Sequence, residues 1–80
     1  METINLADFE RINDALNSLL RMGDFMTCAD PRAWNGAFNR LLDYCLDAGM
    51  KWGEPCPIEW AAQIIADALT GKIETVDGEA

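Results

Sequence analysis

The side chains that most often do chemistry are scarce in this chain. Its 80 residues include no histidine, so no imidazole base is available and none of the nucleophile–histidine arrangements can form. Ser18 is the only serine. There is no GxGxxG or GxxxxGK[ST] loop to cradle a phosphate. The cysteines, Cys28, Cys45 and Cys56, lie 17 and 11 residues apart, which is not the local pairing that a four-ligand zinc site uses. Their odd number and the lack of a CxxC motif argue against a disulfide framework and for a reducing compartment. Cys45 reads as a core residue, and Cys28 and Cys56 sit at or near helix starts, where a capping or buried role outweighs a reactive one. Acid–base work by a carboxylate pair is conceivable, but acids this numerous pair by accident. The expectation is a protein that is not an enzyme, with no catalytic residue, no metal and no cofactor.

The acids themselves are the remaining signal. Fourteen Asp and Glu face six Lys and Arg, for a formal charge of −8. Phosphate contacts need a basic patch. The basic residues here are scattered as Arg11, Arg21, Arg32, Arg40, Lys51 and Lys72, each with an acid within four positions. Direct nucleic-acid binding is therefore disfavoured by sign. Nothing approaches the ~20 apolar residues of a membrane span. The acidic, polar Met1–Asp8 segment does not read as a secretory signal, so a cytoplasmic location is expected.

Two acid pairs stand four residues apart, Glu10 with Asp14 and Asp43 with Asp47. Like charges at that spacing cost a helix about 0.2–0.5 kcal/mol per pair, so local stability does not explain them. One reading is a solvated face tuned for solubility. The functional reading is a footprint for a basic protein partner, with carboxylates about 6 Å apart along the axis. Such a row acts mainly on association rate and partner choice, while affinity comes from apolar anchors. The candidate anchors are two loop aromatics outside the helical stripes, Phe25 and Trp52, for each of which core capping is the plainer role.

Three helices must position these groups. The first runs from about Leu6 to Met22, with Asn5 as N-cap and Gly23 as C-cap. Leu6, Phe9, Ile12, Leu16, Leu19 and Leu20 fall within about 140° of one another and predict its core stripe. The second opens at Asp30-Pro31 and ends at Gly49. Trp34, Ala37, Phe38, Leu41, Cys45 and Ala48 predict its buried face, and Leu46 sits off that stripe. Pro57 opens a third helix, which ends near Leu69. Only Glu59, Gln63, Asp67 and Thr70 are clearly polar there, so this helix is either central or buries a second face against a partner. The expected fold is an all-α bundle of three main helices over residues 1–71. A short acidic tail over 72–80 is expected to be frayed, although Ile73, Thr75 and Val76 could form an extended segment.

In size, acidity and lack of histidine the whole chain resembles the short inhibitors that phages direct at host nucleic-acid machinery, of which anti-CRISPR proteins are the best-known group. That group shares no motif, so the resemblance carries no functional residue across. It implies a phage-encoded inhibitor, working in the host cytoplasm, that occludes a basic nucleic-acid-binding surface on a host defence complex of the CRISPR-Cas type. A charge of −8 fits steric blocking with an acidic patch better than wholesale nucleic-acid mimicry. The alternative is a homodimeric structural or adaptor module built on the broad apolar face of the third helix.

Overall fold

The computed structural model describes residues 3–51 and 56–77. The elements run β1 (Thr3–Asn5), α1 (Leu6–Met22), α2 (Pro31–Ala48), α3 (Pro57–Leu69) and β2 (Glu74–Val76). The helix boundaries follow the caps read from the sequence. Asn5 turns α1 on by accepting from the backbone N–H of Ala7 at 2.8 Å and of Asp8 at 3.3 Å. Asp30 accepts from Ala33 N–H at 3.2 Å, with Pro31 in the first turn of α2. Gly49 closes α2 at φ 121°, a backbone conformation that costs a side chain dearly, and Met50 then donates to the Cys45 carbonyl at 2.9 Å.

α1 and α2 form an antiparallel hairpin. α3 starts beside the end of α1, where Ile58 shares a cleft with Leu19 and Leu20. It ends near the start of α1, because β2 follows it and pairs with β1. α3 therefore runs antiparallel to α1. Ile12, Leu16 and Leu19 from α1, Ala37, Leu41 and Cys45 from α2, and Ala61 and Ile64 from α3 make the core. Ala15 and Ala37 are both buried and small, which lets the two longer helices approach closely.

The fold is mostly helical but not all-α. β1 and β2 form a two-stranded parallel sheet with Thr3 opposite Glu74, Ile4 opposite Thr75 and Asn5 opposite Val76. Ile4 and Ile73 are buried beneath it and extend the hydrophobic core past the helices. The segment expected to fray therefore contains a paired strand over Glu74–Val76. Its cause is a sharp turn after α3: Gly71 takes φ 84°, and Lys72 and Ile73 both donate to the Asp67 carbonyl, which sends the chain back toward Thr3. Two further departures lie on α1. Helix phase places Leu6 and Leu20 in its core stripe, yet both are exposed, Leu20 by 64%. They sit at the two ends of the helix, and Leu20 lines an open cleft with Ile58 of α3.

Candidate partner-binding surface

All four paired acids are exposed, but the structure does not gather them into one field. Asp14 lines a cleft of about 190 Å³ between α1 and α2 together with Arg11, Ser18, Arg40 and Tyr44. Arg11 is held there by Asp8, whose carboxylate accepts from its guanidinium at 2.6 Å, and its charged end lies 5.7 Å from the Tyr44 ring centre. Asp14 thus shares its cleft with two guanidinium groups. Asp43 and Asp47 follow Arg40 at three and seven residues and continue its ridge along the outer flank of α2. Glu10 is exposed one turn before Asp14 on α1 and does not line that cleft.

Phe25 is at the other end of the hairpin. Its ring meets Trp34 edge-on at 5.4 Å, and Trp34 stacks on Phe38 at 5.3 Å with the ring planes 11° apart. The Trp34 indole donates its Nε1–H to the Gly23 carbonyl at 3.0 Å. The loop beneath these rings is an ordered turn in which Thr27 and Cys28 N–H both donate to the Asp24 carbonyl, at 3.1 and 2.8 Å. Along α2, Trp34 and Asp47 are thirteen residues and so about 20 Å apart. The candidate anchor and the second acid pair therefore lie toward opposite ends of α2 and on different faces of it. Trp52, the other candidate anchor, lies outside the described residues.

The sequence reading missed what surrounds Phe25. Met26 is 87% exposed and Leu20 is 64% exposed. Leu20 lines a cleft of about 240 Å³ together with Leu19, Gly23, Asp24, Trp34 and Ile58. Monomeric proteins seldom leave large apolar side chains clustered in this way without a use for them. Asp24 lines this cleft and forms no ion pair among the described residues. The signal in the sequence was the pair Phe25-Met26 beside Gly23, two large apolar residues in a turn that no helix phase could bury.

Cys45 is fully buried, its Sγ lies 3.9 Å from the Pro57 carbonyl, and burial pushes its pKa from the ordinary 9.0 up to about 11. The Cys28 thiol is engaged with the Phe25 carbonyl at 3.3 Å. Among the described residues no group of three or more His, Cys, Asp or Glu is placed to hold a metal ion. No described helix is long and apolar enough to cross a membrane. Comparison with known protein families, with curated proteins and with solved structures finds no match for this chain.

Proposed function

We propose that this is a non-enzymatic binding protein, an inhibitor or adaptor that docks on a basic protein partner. The observation that carries the reading is the aromatic end of the hairpin: a cleft walled by exposed Leu20, Trp34 and Asp24, with the exposed Phe25 ring against Trp34 and exposed Met26 next to it in the chain. Apolar anchors in a preformed cleft supply affinity, and the exposed acids, Asp24 at the cleft and Asp43 and Asp47 toward the far end of α2, select a basic surface and speed encounter. The order imposed on the turn by the Asp24 carbonyl and the Trp34–Gly23 hydrogen bond favours the same reading, because a rigid anchor loses little entropy on docking.

In its finer form the reading is a phage-encoded inhibitor of the anti-CRISPR type that covers a basic nucleic-acid-binding surface of a host defence complex. Size, acidity and the lack of catalytic side chains support it. Pull-down against purified nucleic-acid-handling effector complexes at low and high salt tests it. The expected result is capture at low salt that weakens as salt rises and is lost in Met26→Asp. Binding indifferent to salt and to charge reversal at Glu10, Asp14, Asp43 and Asp47 contradicts it.

A second reading, a homodimeric structural or adaptor module, is favoured by exposed apolar residues on α3, of which Leu69 is 79% accessible.

A further inference from the structure

The cleft between α1 and α2 brings together polar groups that the fold itself does not use. The antiparallel hairpin sets Arg11 against Tyr44, with the guanidinium 5.7 Å from the ring centre. From that contact, Asp14 and Ser18 follow one and two turns on along α1, and Arg40 and Ala37 lie one and two turns back along α2. The two rows face each other across a cleft of about 190 Å³, with the small, buried Ala15 and Ala37 beneath.

Arg11 is offset by Asp8 at 2.6 Å. Asp14, Ser18, Arg40 and the Tyr44 hydroxyl form no hydrogen bond or ion pair among the described residues. Thr70 on α3 returns its hydroxyl to the Ala66 carbonyl at 3.0 Å, whereas Ser18 makes no such bond to its own helix. A Cβ on Gly36 would stand 3.7 Å from Arg40 Nη1, so the Arg40 guanidinium lies back along α2 over Gly36, toward the Ser18 end of the cleft.

We propose that this cleft binds a small zwitterion of the α-amino-acid class. The Arg40 guanidinium and the Ser18 hydroxyl donate to its carboxylate, and the Asp14 carboxylate accepts from its ammonium group. Charge selects this class. With Arg11 offset by Asp8, one guanidinium and one carboxylate remain to be matched. A simple anion meets Asp14, and a simple cation meets Arg40. A ligand carrying both charges a few bonds apart satisfies both residues. The chain's charge of −8 repels a net anion but does not act on a molecule of zero net charge. Size sets the same limit, because drug-sized ligands occupy pockets of about 300 Å³ or more, and this cleft suits a molecule of a few heavy atoms.

The site is independent of the basic-partner reading, which rests on the aromatic end of the hairpin. Proton–nitrogen correlation NMR of the full chain tests it, with separate titrations of L-alanine, acetate and methylammonium chloride. L-Alanine is expected to shift the Ser18 and Ala37 amides and the Arg40 side chain saturably, with a dissociation constant on the order of 1 mM. Acetate and methylammonium, each holding one of the two charges, bind about tenfold more weakly or less. Arg40→Gln and Asp14→Asn each weaken L-alanine binding about tenfold, and Glu59→Gln on α3 leaves it unchanged. All three positions are exposed, so circular dichroism stays helical in every variant. Wild type that shows no saturable shift with L-alanine overturns the proposal. Acetate binding as tightly as L-alanine, or tighter L-alanine binding by Asp14→Asn, also overturns it, since either is the behaviour of a plain anion site.

Discussion

Trp34 donates its indole N–H to the Gly23 carbonyl at 3.0 Å, and this one bond fastens the first turn of α2 to the residue that caps the end of α1. It also fixes the plane of the indole between Phe25 and Phe38. The aromatic end of the molecule is therefore a built surface and not a loose loop. Replacing Trp34 with Phe keeps most of the ring contact and removes the donor, and should cost about 1 kcal/mol. Trp34→Ala should cost about 3 kcal/mol, because the stack is lost as well. Urea denaturation of the two variants separates the contributions.

The parallel strand pair gives a second expectation. Ile73 is 5% exposed and Ile4 is 3% exposed, each beside a strand of only three residues. Ile73→Ala should destabilise the protein by about 2–3 kcal/mol. A tail that frayed would give a change near zero. Thermal unfolding followed by circular dichroism reads the difference.

These strands also mark where the sequence stopped being legible. The three helices were readable because each has local punctuation: Asn5, Asp30-Pro31 and Pro57 at their starts, Gly23 and Gly49 after the first two. A strand of three residues has no period to read. The partner of Ile4 lies some seventy positions away, and pairing depends on the turn at Gly71 and on α3 returning to the start of α1. The core stripe of α1 was right at Ile12, Leu16 and Leu19 and wrong at Leu6 and Leu20. Phase says which way a residue points, but not how tightly its neighbours pack around it at the ends of a helix. The acids were legible as types and spacings. Their separation from Phe25 by about the length of α2 follows from the antiparallel hairpin, and no local pattern encodes it.

The buried thiol predicts a pH dependence. Cys45 titrates at about 11 in the folded chain and near its ordinary 9.0 once unfolded. The unfolded state therefore loses its proton first, and stability falls as pH rises from about 9 to 11. The loss is about 2 kcal/mol. It should vanish in Cys45→Ala, whose stability over that interval should show no contribution from this position. Denaturant midpoints measured at pH 8 and above, for both proteins, check the sign.

Asp47 sits in the last turn of α2, where the helix presents its negative end and no basic residue offsets it. Asp43 adds a like charge one turn earlier. Asp47→Lys should raise stability by about 0.5–1 kcal/mol by reversing both effects. If the acid pair serves a partner, the same variant should bind less well. A rise in melting temperature accompanied by a loss of binding is the pattern of a residue kept for recognition.

The most direct test of the account is the kinetics of binding to a nucleic-acid-handling effector complex that the protein captures, measured by surface plasmon resonance at low and high salt. The account predicts a division of labour. Reversing Asp43 and Asp47 to Lys should slow association on the order of tenfold at low salt and flatten its salt dependence. Met26→Asp should leave association nearly unchanged and speed dissociation on the order of 100-fold. Binding by both variants at the wild-type rates would contradict the claim that the aromatic end anchors the partner and the acids of α2 steer it.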